Sequence, residues 1–278
     1  MMKIKVWGAR GDIVAPGPET VKYGGNTTCI EVLSSTGERL ILDAGIGITR
    51  LGLHLIPPKD TTEPKDFHIL LSHSHIDHIQ GFVFFPPIFS PHSVIYLYCP
   101  QGSHRTLSSV IRGLFATQYS PLEDVSNLPS KIQFIEETSA LIHIPPFEVE
   151  QIRVDHPGDC YAYLIKEGET AILFATDHEA RDNEINKNLI EKGKNVNLLL
   201  HDAQLTPAEY QQKIGWGHSS YPNAVENARQ MGAKKLMLIS HDPDRTDNEM
   251  DQIVMDANRL ANGEFEVVAA MEGHVYKV

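Results

Sequence analysis

A chain of 278 residues with 41% hydrophobic side chains is long and apolar enough to bury the core of one large α/β domain. Its formal net charge of −12, with 24 basic against 36 acidic residues and no Lys/Arg-rich run, argues against binding along a long nucleic acid and leaves room for a small anion at a metal site. The scattered Cys29, Cys99 and Cys160 suit a reducing cytoplasm rather than a disulfide framework, no apolar run reaches the length of a membrane span, and Met1 to Trp7 reads as a strand rather than a signal peptide. In chain order, Lys3 to Trp7, Thr28 to Leu33 and Arg39 to Leu42 read as strands. The glycine pair in Tyr23-Gly24-Gly25-Asn26-Thr27 serves a turn or a close backbone approach, and Pro57 to Pro64 reads as a loop. His68 to Ser72 is a buried strand. The stretch from about 82 to 151 is the least regular and is expected to be an insertion in a single domain spanning 1–278. It holds a strand, Val94 to Cys99, and a helix from Ser103 to about Gln118 that buries Leu107, Val110, Ile111, Leu114 and Phe115 and exposes Arg105 and Arg112. Further on, Cys160 to Ile165 and Thr170 to Thr176 form a hairpin. Helices at 183–192, 206 onward, 222–231 and 250–260 then alternate with strands at 196–200, 235–240 and 265–269, and no internal repeat is visible.

The chemistry starts at His73-Ser74-His75-Ile76-Asp77-His78, with four potential metal ligands in six residues directly after an apolar strand. A strand that stops and turns can splay neighbouring side chains toward one point, and this set suits two ions in one pocket. Imidazole and carboxylate donors favour zinc, with manganese or iron as alternatives. Other apolar strands end in the same way. They run into Asp43, Asp155-His156, Asp177, His201-Asp202 and Ser240-His241. Strand ends along one sheet edge form a common rim where functional side chains gather.

The HxHxDH motif followed by His156, Asp177 and His241 resembles the metallo-β-lactamase superfamily from Asp43 to the C-terminus. The resemblance implies a four-layer αββα sandwich with two divalent ions at the ends of the sheets. It implies that His73, His75 and His156 hold one ion, that Asp77, His78 and His241 hold the other, and that Asp177 bridges both. Asp43 then braces the metal loops by hydrogen bonds. The diiron flavoproteins of the superfamily carry Glu at the position of His75 and add a flavodoxin domain, and neither feature is present.

His201-Asp202-Ala203-Gln204 and Gly217-His218-Ser219-Ser220 resemble two motifs of ribonuclease Z and related phosphodiesterases. There Asp202 supports His218, which contacts the phosphate and protonates the leaving oxygen. Asp77, His218 and Asp202 are thus the expected catalytic residues. Trp7-Gly8-Ala9-Arg10-Gly11, Tyr23 to Cys29 and Leu42 to Gly47 look like a bacterial branch of small phosphodiesterases. That branch includes the phosphoribosyl cyclic phosphodiesterase, whose cysteine-rich zinc site the three cysteines do not supply. The chain has no segment like the RNA-clamping arm of ribonuclease Z. The expected activity is hydrolysis of a small phosphodiester, such as a cyclic nucleotide, in the cytoplasm, by a hydroxide held between two ions. An RNA 3′-end endonuclease and a lactone or thioester hydrolase are the alternatives. The resemblance also implies a homodimer as the usual assembly.

Overall fold

In chain order the computed structural model contains strands β1 (Lys3–Gly8), β2 (Cys29–Leu33), β3 (Arg39–Leu42), β4 (Lys65–Leu70), β5 (Ser93–Pro100), β6 (Lys131–Glu137), β7 (Leu141–Ile144), β8 (Phe147–Arg153), β9 (Tyr161–Glu167), β10 (Thr170–Ala175), β11 (Leu198–Asp202), β12 (Lys235–Ile239), β13 (Glu266–Ala269) and β14 (Val275–Lys277). The helices are α1 (Gly47–Leu55), α2 (Ile76–Ile79), α3 (Leu107–Leu114), α4 (Glu184–Lys192), α5 (Pro207–Gln212), α6 (Tyr221–Met231) and α7 (Asp247–Ala261). The structure describes residues 1–56, 65–100, 106–137 and 140–278. The expected Pro57–Pro64 loop, the Ser103 cap and Arg105 lie outside the described residues; the observed cap of α3 is Thr106, whose side chain accepts from Ser109 N.

Two seven-stranded sheets form, in the orders β14-β1-β2-β3-β4-β5-β6 and β13-β12-β11-β10-β9-β8-β7. Alternation decides which way each strand faces. Ile4, Val6, Leu40, Leu42 and Leu70 of the first sheet meet Tyr163, Ile165, Phe174, Leu200 and Ile239 of the second in an inner core. The intervening residues Ile41, Ile69 and Leu97 turn outward under α1 and α3. Leu173, Leu199 and Leu238 turn outward under α4, α6 and α7. β11 is buried along its whole length because both its faces are covered, so its Leu198-Leu199-Leu200 is a continuous apolar run rather than an alternating one. The result is the αββα sandwich expected from the sequence.

From one edge, each sheet has three antiparallel pairings followed by three parallel ones. The two halves therefore share a topology that no sequence repeat betrays. The 82–151 stretch also departs from expectation. Rather than irregular, it supplies β5 and β6 to the first sheet and β7 and most of β8 to the second. Pro145-Pro146, between β7 and β8, serves as the hairpin turn. Arg112 of α3 pairs with Asp124 at the surface. Among the described residues no helix is long and apolar enough to cross a membrane.

Candidate active site

The parallel strands β3, β4, β10, β11 and β12 deliver their C-terminal ends to one rim. Three of those ends leave in the left-handed region on residues other than glycine, at Asp43 (φ 59°), Asp177 (φ 46°) and Ser240 (φ 58°). Such turns cost roughly 1–3 kcal/mol each and persist where surrounding contacts over-determine them. At Asp43 those contacts are visible. Its carboxylate is fully buried and accepts from Ser72 N at 2.7 Å, Ser72 Oγ at 2.9 Å and His78 Nδ1 at 2.7 Å. Because Ser72 Oγ gives its hydrogen to Asp43, it accepts from His73 Nδ1 at 3.0 Å. One carboxylate thus sets two tautomers, so that in the neutral rings Nε2 of both His73 and His78 is the nitrogen free to bind a ligand.

The second sheet supplies the facing donors. His156 Nδ1 donates to Gly217 O at 3.0 Å, which turns its Nε2 toward His75 Nδ1, 3.1 Å away. Asp177 Oδ1 accepts from Thr176 Oγ1 at 2.8 Å and Ser240 Oγ at 3.3 Å. Its Oδ2 lies 3.2 Å from His78 Nε2, 3.6 Å from His73 Nε2 and 3.8 Å from His156 Nε2. His78 Nε2 is also 3.0 Å from Asp77 Oδ2. Donor atoms of His73, His75, His156 and Asp177 lie within 4.8 Å of one another, as do those of Asp77, His78 and Asp177. Asp177 belongs to both groups. His241 stands outside these groups: its Nε2 donates to Ala270 O at 2.9 Å and its Nδ1 is buried without a partner.

These residues suit divalent metal ions. His73 Nε2, His78 Nε2 and His241 Nδ1 are buried nitrogens without a hydrogen-bond partner of normal geometry, an arrangement that is costly unless a ligand completes it. Burial and the neighbouring imidazoles hold His73 well below the usual imidazole range and lower His75, while burial brings His241 to about 4. Neutral imidazole is the form that binds a metal. Burial opposes charge on His78, yet Asp177, Asp77 and Asp43 surround it and raise its pKa well above the usual value. Three carboxylates about one imidazole leave that part of the site with an excess of negative charge.

Beside this cluster Asp202 and His218 form a buried pair, with His218 Nδ1 2.8 Å from Asp202 Oδ2. Burial opposes charge on His218, but Asp202, Asp177 and Asp12 raise it to about 10. Burial pushes Asp202 up as well. The proton belongs on the imidazole, because Asp202 Oδ1 already accepts from the Ser219 amide at 2.7 Å and the Gln204 amide at 3.4 Å. Bound divalent cations would draw the imidazole's pKa back down. Asp202 does not cap α5; Thr206 does so through a capping box with Glu209. His201, on the opposite face of β11, turns away to Asn227 of α6 at 3.0 Å.

Several supporting residues escaped the sequence reading. Glu179, fully buried, accepts from Gly215 N at 2.9 Å, Gly217 N at 3.0 Å and Tyr210 Oη at 3.2 Å, which pins the loop that presents His218. Asp12 N donates to Asp77 Oδ2 at 3.1 Å, and the Asp12 carboxylate accepts from Gln204 Nε2 at 2.8 Å. Arg10, fully buried, donates to the carbonyls of Gly24, Asp242 and Arg245, each at 2.8 Å, and so ties down the chain that follows His241. The one signal for Glu179 was its place two residues after Asp177. Gly217 is required for two reasons: its φ is 91°, and a Cβ there would sit 2.2 Å from His156 Nδ1. Gly217→Ala should displace His156 and lower turnover roughly 10²-fold. Steady-state kinetics with metal analysis checks this, and wild-type values in both would refute the tight Gly217–His156 packing.

The cluster opens into a cavity of about 300 Å³ lined by Asp12, His75, Asp77, Asp177, Lys213 and His218, among others. Comparison with known proteins agrees with this geometry. A family model described as "Beta-lactamase superfamily domain" matches residues 38–241. The chain belongs to that superfamily, and it is a metal-dependent hydrolase. Ribonuclease Z of Halalkalibacterium halodurans is 23% identical over 88% of this chain and 91% of its own length. The metallo-β-lactamase fold protein YhfI of Bacillus subtilis superposes with a TM-score of 0.70 at 20% identity, covering 99% of this chain and 98% of that one. A diphosphatase from the PhnP family superposes with a TM-score of 0.68 at 15% identity, covering 100% and 98%.

Proposed function

We propose that the protein hydrolyses a small phosphodiester, a cyclic nucleotide or a related cyclic phosphate. The observation that carries this reading is the Asp202–His218 pair, set within 4.8 Å of Asp177 at the edge of the metal cluster. Acyl transfer to water from a thioester expels a good leaving group and has little use for such an acid. A phosphodiester expels a poor alkoxide, and a positioned acid speeds its loss by roughly 10²–10⁴-fold. In this reading His73, His75 and His156 hold one divalent ion, Asp77 and His78 hold a second with His241 as a further donor, and Asp177 is shared. Such ions, when bound, supply Lewis acidity toward the phosphate and a hydroxide nucleophile at neutral pH. The chain's own groups do the rest. Asp43 orients His78 directly and His73 through Ser72, Asp12 orients Asp77, and His218 holds the proton that the leaving oxygen takes.

The relative named ribonuclease Z keeps an RNA 3′-end endonuclease as the second reading. The net charge of −12 and the cavity of about 300 Å³ favour the small substrate. A hydrolysis panel with zinc or manganese, containing cyclic nucleotides, a ribose cyclic phosphate, a pre-tRNA and a thioester, separates the readings. Cyclic phosphates should lead, and kcat/KM should fall only weakly with salt because few counterions are released. Preference for pre-tRNA with a steep salt slope would overturn the small-substrate reading, and preference for the thioester would overturn the phosphodiester reading.

A further inference from the structure

The cavity lining is of two chemical kinds. Around the cluster its lining is carboxylate and imidazole; its apolar lining is Pro157 and Trp216. Trp216 lies two residues before His218 and is 63% exposed. An exposed tryptophan alone is ordinary. The backbone that carries this one is fixed. Glu179 bonds the amides of Gly215 and Gly217 on either side of it, Trp216 N donates to Lys213 O at 3.1 Å, and the capped helix α5 leads into the turn. Lys213 Nζ lies 5.8 Å from the indole centroid and 3.8 Å from Asp242 Oδ2, and among the described residues it is the sole Lys or Arg lining the cavity. An indole on a fixed loop, with an ammonium nearby and the candidate phosphate-cleaving residues lining the same small cavity, can provide stacking for a planar ring and charge for its phosphate.

We infer that Trp216 is the stacking platform for a nucleobase, so that the substrates are nucleotides rather than simple sugar or alkyl phosphates. This rests on the phosphodiesterase reading and adds the recognition element to it. The chain has two tryptophans, and the other, Trp7, is committed to Glu31 through its Nε1 at 2.9 Å, so indole emission reports the platform once Trp7 is replaced.

The test is a fluorescence titration of metal-loaded Trp7→Phe protein with the 5′-monophosphates of adenosine, guanosine, cytidine and uridine and with ribose 5-phosphate. At least one nucleotide should quench saturably and ribose 5-phosphate should not. Adding Trp216→Phe should remove the quenchable emission. In kinetics, Trp216→Ala should raise KM for the preferred cyclic nucleotide roughly tenfold more than KM for methyl nitrophenyl phosphate, the loss expected from one base stack. No quenching by any of the four nucleotides, or equal quenching by ribose 5-phosphate, overturns the platform. So does an equal rise in both KM values. Failure of the phosphodiesterase reading looks different: wild-type protein would cleave neither class of phosphodiester, whatever the fluorescence shows.

Discussion

Wild-type protein should carry two divalent ions per chain, and Asp177→Ala should weaken both by at least roughly 10²-fold, beyond the 10–100-fold typical of losing a residue that merely orients a ligand. The expectation follows from where Asp177 Oδ2 sits. It lies 3.2 Å from His78 Nε2 on one side and 3.6 Å and 3.8 Å from the Nε2 atoms of His73 and His156 on the other. Removing it deletes a donor from both groups and the one carboxylate of the His73–His75–His156 group. Alanine at φ 46° also carries left-handed strain that aspartate tolerates better. Asp177→Asn separates the two effects. Asparagine tolerates the conformation and can keep an oxygen toward Thr176 and Ser240, but brings no charge. If metal analysis after dialysis finds two tightly held ions in the Asn variant, the shared-carboxylate assignment is wrong. If Asn loses metal while its thermal unfolding matches wild type, strain is excluded as the cause.

What could be read from the sequence was what repeats locally. Apolar strands ending in Asp or His mark a rim, and a hydrophobic strand reveals its end without any tertiary contact. Asp43, His73, Asp77, His78, His156, Asp177, Asp202 and His218 all reach that rim. His241 illustrates the limit. Its position after β12 is legible, but the ring's direction is decided by Ala270 O, 29 residues on, and that bond keeps it out of the tight cluster. Glu179, Asp12 and Arg10 were illegible for a related reason. Each acts on backbone amides, carbonyls or a side chain brought close by folding, and no spacing encodes those partners. The β7–β8 hairpin was hidden differently. Phe147 and Val149 alternate with Glu148 and Glu150 as a strand covered on one face should, but the pairing of β8 with β7 across Pro145-Pro146 depends on a partner that the local pattern does not name.

His218→Ala should divide two substrates. The residue lies on a loop held by Glu179 and Asp202, and no expected metal ligand relies on its side chain for a hydrogen bond, so metal content should survive the change. A cyclic nucleotide expels a sugar alkoxide that must gain a proton, and its kcat should fall roughly 10²–10⁴-fold. A nitrophenyl phosphodiester expels a stabilised phenolate that needs none, and its loss should be much smaller. Asp202→Asn should show the same asymmetry in milder form. It leaves the imidazole in place, but removes the charge that, against burial, favours the cation. The comparison discriminates because the two roles open to His218 leave different marks. A proton donor is felt only where the leaving group is poor. A phosphate-holding cation is felt by both substrates alike, so equal losses would assign His218 to binding instead. Wild-type turnover of both substrates by a metal-replete His218→Ala protein would remove the observation on which the phosphodiesterase reading rests. The thioester in the hydrolysis panel would then be the substrate to pursue.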